Sequence, residues 1–172
     1  REIIVLPSDS DARATAEQAA AEARAAGIRI AVIPTRSIVQ TLAAVAVHDA
    51  RAGFEDTVAV MSAAAGATRY AGITIASKAA LTSAGQCREG DVLGVMDGDI
   101  VLIGTDVQQV AKNVIDRMLA IGGDLVTLVF GVDLAADARD DLSEWVRRTH
   151  PLVDVLRHAG EQPLWPVIVG VE

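Results

Sequence analysis

The sequence has 172 residues, of which 51% are hydrophobic and only 3% are aromatic. The formal net charge of −8 argues against nucleic-acid binding, which depends on an excess of Lys and Arg. No apolar stretch reaches the roughly 18 residues that span a bilayer, and the single cysteine, Cys87, favours a reducing cytoplasm. Arg1 stands directly before an apolar segment without an initiator Met, so we expect further residues upstream.

Residues 1–66 alternate between strand and helix patterns, and Gly27 is placed to end the first helix. The predicted strands are Glu2–Pro7 and Ile28–Pro34, and the predicted helices are Ala12–Ala26, Ile38–Val47 and Asp56–Ala65. This β-α-β-α order predicts parallel strands joined by right-handed crossovers.

Residues 67–105 contain three strand patterns and a hairpin signal. Asp97-Gly98-Asp99 separates two of the apolar runs, and Asp-Gly is typical of a tight hairpin turn. Residues 106–172 return to alternating helix and strand. The predicted strands are Tyr70–Ser77, Gly90–Met96, Ile100–Ile103, Leu125–Phe130, Leu152–Arg157 and Pro166–Val171, and the predicted helices are Asp106–Ile121 and Ala135–Thr149. Together these elements predict one α/β domain with a mixed, mainly parallel sheet, flanking helices and an inserted β-hairpin.

Polar residues follow each of the first two strands. Ser8 and Ser10 come after the first strand, and Thr35, Arg36 and Ser37 come after the second. Ligands of open α/β sheets bind at the carboxyl ends of the strands, where hydroxyls and helix N-termini can hold an anion. Helix capping also accounts for these residue types and is the favoured explanation, because Ser, Thr and Asp are common N-cap residues.

Motifs that would carry catalysis are missing from the sequence. There is no G-x-x-x-x-G-K-[ST] and no G-x-G-x-x-G after a strand. The histidines His48, His150 and His158 lack the spacing of a metal site, and Cys87 has no general base near it in the sequence. We therefore predict no catalytic residue and no metal ligand.

The segment before the last strand, Gln162-Pro163-Leu164-Trp165-Pro166, has two prolines around Leu-Trp. Proline stiffens such a loop. Trp165 could then anchor a partner, as Trp does in interface hot spots, or it could cover the core.

Three segments together resemble one family. They are EIIVLPS (2–8), VIPTRSIVQ (32–40) and GEQPLWPVIVGVE (160–172). They resemble the C-terminal region of the dihydroxyacetone-kinase-like (DhaL-like, YloV-like) bacterial proteins, which include the A subunit of fatty acid kinase. The chain departs from that pattern at Thr41, where Gly is common, at Ala79, where Asp is common, and at Glu161 and Trp165, where Gly and Tyr are common.

The resemblance implies a DegV-like fold for residues 1–172. It also implies an N-terminal kinase domain that binds ATP and magnesium, followed by a middle domain, both outside this sequence. The C-terminal domain would then recruit the DegV-like protein that carries the fatty acid, so that its carboxylate is phosphorylated.

Three functions follow as hypotheses. The first is a non-catalytic docking domain for that partner, and the second is a domain that itself binds a fatty acid or small carboxylate. The third is a stand-alone phosphatase or kinase, and a homodimer stays open under each of them. The predicted binding residues are Ser8, Ser10, Thr35, Arg36, Ser37, Gln40, Gln162, Leu164 and Trp165.

Overall fold

The computed structural model describes residues 2–172, which form ten strands and five helices. They divide into two compact units: the first ends at Thr68, and the second runs Arg69–Glu172. Between residues 2 and 172 no helix is both long and apolar enough to cross a membrane.

The first unit is a small α/β layer. Its elements in chain order are β1 (Glu2–Val5), α1 (Ser10–Ala25), β2 (Arg29–Val32), α2 (Ile38–Ala46) and α3 (Phe54–Ala67). β1 and β2 form a two-stranded parallel sheet in which Ile3 lies opposite Ile30, as the alternation predicted. The buried cluster of this unit has only four residues, Ile33, Ala44, Met61 and Ala65.

Helix α1 begins and ends at residues that are typical of helix termini. The Asp9 carboxylate caps the helix by accepting the Asp11 N–H at 2.9 Å. Gly27 adopts a φ of +78° just past the end, a conformation that glycine tolerates without steric cost. Ala20 is the one fully buried residue of this Ala-rich helix, so most of its surface faces solvent.

The second unit contains the other eight strands and two helices. Its elements are β3 (Arg69–Ile75), β4 (Ala80–Thr82), β5 (Gly85–Cys87), β6 (Val92–Met96), β7 (Asp99–Gly104), α4 (Val107–Leu119), β8 (Leu125–Phe130), α5 (Ala136–Thr149), β9 (Asp154–Ala159) and β10 (Val167–Val171). The sheet has six strands in the order β7-β6-β3-β10-β8-β9.

The sheet is mixed, as predicted, but the expectation of mainly parallel strands is wrong. Within this sheet only β8 and β9 pair in parallel, and the other four pairs are antiparallel. The C-terminal strand β10 accounts for two of these antiparallel pairs, because it inserts between β3 and β8 and runs antiparallel to both, and the neighbouring strands β3, β6 and β7 account for the other two.

The core of the second unit lies between this sheet and helices α4 and α5. Val126 and Leu128 of β8 and Val169 of β10 are fully buried, as are Val114 and Ile115 of α4. The buried residues of α4 recur near period 3.6, so one face of this helix is apolar, whereas β8 is buried on both faces from Val126 to Phe130.

The predicted hairpin between β6 and β7 is present. Asp97 and Gly98 have φ values of 51° and 94°, which match a turn with two left-handed central residues. A second, short hairpin, β4–β5, was not predicted. Its strands bury Cys87, which is 2% exposed and packs in a cluster with Ala76 and Leu93.

Candidate functional site

The loops after β1 and β2 meet, because parallel strands bring their carboxyl ends to one edge of the sheet. The Ser8 N–H donates to the Thr35 hydroxyl at 3.1 Å, and the Ser8 hydroxyl lies 2.7 Å from that of Thr41. Thr35 is fully buried and Ser8 is half-buried. The structure therefore joins two of the predicted residues and adds Thr41, which the sequence analysis named only as a departure from the family pattern and not as a site residue. Its position four residues after Ser37 on α2 was the available signal.

Ser8 has an unusual backbone conformation. Its φ of 60° lies in the left-handed region, which costs a non-glycine residue roughly 1–2 kcal/mol. Such a conformation persists only where neighbouring groups fix it, and such residues are common at functional sites. Here the fixing groups are Thr35 and Thr41.

The N-terminus of α2 lacks a side-chain cap. Ser37 occupies the capping position with φ −149° and ψ 152°, but its hydroxyl makes no capping hydrogen bond. Ser37 is only 7% exposed, and its hydroxyl makes no hydrogen bond within residues 2–172, so its oxygen reaches solvent. An uncapped helix N-terminus has unpaired N–H groups and a partial positive charge, which favour an anionic oxygen. The capping explanation therefore holds for Asp9 but not for Ser37.

Both polar ends of the Gln40 side chain hydrogen-bond to main-chain groups. Its side-chain oxygen accepts the Arg36 N–H at 2.8 Å, and its amide donates to the Thr68 carbonyl at 3.1 Å. Gln40 thus holds the loop in place. The Arg36 side chain is exposed and forms no salt bridge with any residue in 2–172, and Ser10 is exposed at the first turn of α1.

The other predicted residues lie in the second unit, on the terminal loop 160–166. Gln162 donates its amide to the carbonyls of Trp165 at 2.9 Å and Val129 at 3.2 Å. The Thr74 hydroxyl donates to the Leu164 carbonyl at 2.7 Å. These bonds tie the loop to the ends of β3 and β8.

The Trp165 ring lies directly on Gly72 of β3. A Cβ at Gly72 would come within 2.5 Å of the ring, so only glycine accommodates it. Trp165 is therefore partly buried and covers the sheet. Leu164 is instead 74% exposed and holds a φ of 68°. Gly72 and Thr74 were missed by the sequence analysis, although a glycine inside a strand pattern often marks a close approach.

Comparison with known proteins identifies a family for the whole sequence. Residues 1–172 match the FakA-like C-terminal family, which is the C-terminal part of proteins similar to the A subunit of fatty acid kinase. The chain belongs to this family. A relative from Staphylococcus haemolyticus is 28% identical over 169 residues, and one from Staphylococcus saprophyticus is 27% identical over 169 residues. Both are uncharacterized proteins, and each match covers 98% of this chain but only 30% of the relative.

Solved structures show that this FakA-like chain has the DegV-like fold. A DegV family protein from Thermus thermophilus, described for its fatty acid binding, superposes with a TM-score of 0.65 at 14% identity. The fatty acid kinase B3 protein of Streptococcus pneumoniae, loaded with linoleic acid, superposes with a TM-score of 0.67 at 12% identity. Both matches cover 99% of this chain and 71% of the solved chain.

Proposed function

We propose that this chain docks a DegV-like protein that carries a fatty acid, and that a kinase domain elsewhere in the full-length protein phosphorylates the bound acid. That domain would be of the dihydroxyacetone-kinase-like type and would use ATP and magnesium. Membership of the FakA-like family supports this role. In the docking reaction the chain contributes binding surface and no catalytic group.

The exposed Leu164 on a fixed loop is the observation that carries the docking proposal. Its side chain is 74% exposed, while its carbonyl accepts a hydrogen bond from Thr74 and its neighbours are Pro163 and Trp165. A main chain that is already fixed loses little entropy on binding, so an exposed apolar side chain on it suits an interface anchor. In the first unit, Arg36 offers an exposed cation outside any described salt bridge.

Calorimetry with the full-length protein and the DegV-like protein of the same organism tests docking. We expect Leu164→Ala to weaken binding about tenfold or more, the effect of a hot-spot residue. Leu152→Ala is the matched control, because Leu152 is 93% exposed and lies outside the terminal loop. Equal affinities for the Leu164 and Leu152 variants would remove Leu164 from the interface, and no binding by the unmodified protein would refute docking.

A second candidate function is supported by Ser37. A hydroxyl without a partner, on a residue that is 7% exposed and beside the uncapped N-terminus of α2, suits the carboxylate of a fatty acid or small acid. Ser8 and Thr35 would complete this site.

Titration of the full-length protein with oleate and with acetate tests this candidate. Binding that Ser37→Ala lowers at least about tenfold, with Ser62→Ala on α3 as control, supports the carboxylate site. The carboxylate site is refuted if the unmodified protein binds neither acid, or if the Ser37→Ala and Ser62→Ala variants bind with the same affinity.

A further inference from the structure

The first unit has an open groove of about 480 Å³, whose lining is mostly apolar but includes the polar residues Glu2, His48, Asp49 and Thr57. Its lining comes from one face of β1, the end of α2, the loop that follows α2, and the start of α3. Ile4, Leu6, Val45, Phe54 and Met61 provide the apolar side chains. No residue of β2 lines it, so the groove lies on the side of β1 that faces away from β2.

The main chain of β1 is paired on one side. The Ile33 N–H donates to the Val5 carbonyl at 2.9 Å, which extends the ladder between β1 and β2. Alternate residues of a parallel strand bond to opposite neighbours, so Ile4 directs its N–H and C=O away from β2. In the part of the chain from residue 2 onwards, no strand pairs with that edge. Ile4 is half-buried, and main-chain polar groups in such a setting are normally hydrogen-bonded.

The outer edge of β2 differs from that of β1. The Arg24 side chain donates to the Ile30 carbonyl at 3.1 Å, and a charged side chain over an edge discourages further pairing. On β1 the run Ile3-Ile4-Val5 has no such cover, and Ile3 is 39% exposed. The edge that is open for another strand is therefore that of β1.

We propose that the free edge of β1 pairs with a strand from the preceding part of the same full-length protein. The family is C-terminal by name, and this chain spans about 30% of the length of its curated relatives. More than a quarter of the solved DegV-like chain also has no counterpart here, since the match covers 71% of it. This inference does not depend on the docking function.

The groove and the edge of β1 determine the hydrogen bonds and the side chains of the added strand. This strand hydrogen-bonds to the N–H and C=O of Ile4, and its inward side chains are apolar, since they extend the layer of Ile4 and Leu6 into the groove. A parallel neighbour needs a connection of about a dozen residues or more, with a right-handed crossover. A parallel strand would therefore lie at least that far upstream of Glu2, and an antiparallel strand could lie closer.

Residue-resolved hydrogen exchange on the full-length protein tests the pairing. The Val5 N–H belongs to the β1–β2 ladder in any case and serves as the internal control. We expect the Ile4 N–H to exchange at least about a hundredfold more slowly than in an unfolded peptide, as a paired strand does. Fast exchange at Ile4 beside slow exchange at Val5 overturns the proposal.

Two matched substitutions in the full-length protein test whether an added strand covers the groove. Val45 lines the groove and is 52% exposed, whereas Val60 lies on α3 outside the groove and is 51% exposed. We expect Val45→Arg to lower the melting temperature by about 3 °C or more, because the charge would be buried beneath the added strand. We expect Val60→Arg to change it little. Equal shifts for the two variants overturn the proposal.

A second copy of the protein is the competing occupant of this edge. Protection of Ile4 that appears only at high protein concentration, together with a dimer mass in light scattering, overturns the intramolecular pairing. Protection that is independent of concentration supports it.

Discussion

The two units of this chain differ in the size of the apolar core that each one builds. In the second unit a six-stranded sheet carries α4 and α5, and seventeen buried hydrophobic residues form one cluster. In the first unit a two-stranded sheet carries three helices, and the buried cluster has four residues. The uncapped α2 and the open edge of β1 both lie in this first unit. Both features therefore lie beside the smaller of the two apolar cores.

Truncation of a core residue should show this contrast most strongly. Leu128→Ala in the second unit should lower the free energy of unfolding by about 2–5 kcal/mol, because Leu128 is fully buried among rigid neighbours. Met61→Ala in the first unit should cost less, since the smaller cluster can relax around the lost atoms. Urea unfolding followed by hydrogen exchange in each unit measures both losses, and an equal loss at Met61 would contradict the contrast.

The contact between Trp165 and Gly72 should give the next largest effect. Gly72→Ala should destabilise the second unit by about 1–3 kcal/mol, because the new Cβ collides with the ring. Trp165→Leu should remove most of this penalty in the double variant. A thermodynamic cycle over the two positions measures the coupling, and strictly additive losses would show that the ring does not lie on Gly72 in solution.

Two N-cap positions, one in each unit, should give a smaller difference in stability. Asp106 caps α4 by accepting the Gln109 N–H at 2.7 Å, so Asp106→Ala should cost about 1 kcal/mol. Ser37→Ala should change stability by less than about 0.5 kcal/mol, because the Ser37 hydroxyl makes no capping bond. Thermal unfolding measures both changes. A cost at Ser37 as large as that at Asp106 would mean that Ser37 caps α2 after all.

The exposed charges of the first unit should give the smallest effect. Arg29 donates to Glu55 at 2.7 Å and also to Glu2, and the hydrogen bond to Glu55 raises the pKa of Arg29 above its ordinary value. Glu55→Gln should lower the melting temperature slightly at low salt and not at all in high salt, because exposed ion pairs are weak and screened. A melting-temperature loss that persists in high salt would argue against a purely electrostatic role.

Local patterns in the sequence were sufficient for most elements. The strand Leu125–Phe130 has its predicted bounds, and the Asp97-Gly98 turn has the predicted backbone. The hairpin β4–β5 was missed because its strands have three residues each and little apolar alternation. Strand β9 begins at Asp154 rather than Leu152, which follows Pro151 in a turn and is 93% exposed.

Long-range pairing could not be predicted from local patterns. Alternation between strand and helix suggested parallel neighbours, but nothing inside Val167–Val171 indicates that this strand lies between β3 and β8. The candidate site likewise contains one contact that local patterns predict and one that they do not. The meeting of Ser8 and Thr35 follows from two parallel strands, whereas the ring of Trp165 on Gly72 joins residues that are far apart in sequence.

Cys87 in the hairpin β4–β5 can report how often this hairpin opens. Cys87 is the single cysteine of the chain, is 2% exposed, and its thiol lies 3.9 Å from the Lys78 carbonyl. A thiol reagent can reach it only when the hairpin opens, so the reaction rate reports the free energy of that opening. Binding events that tighten the second unit would slow this reaction, with no label or substitution in the chain.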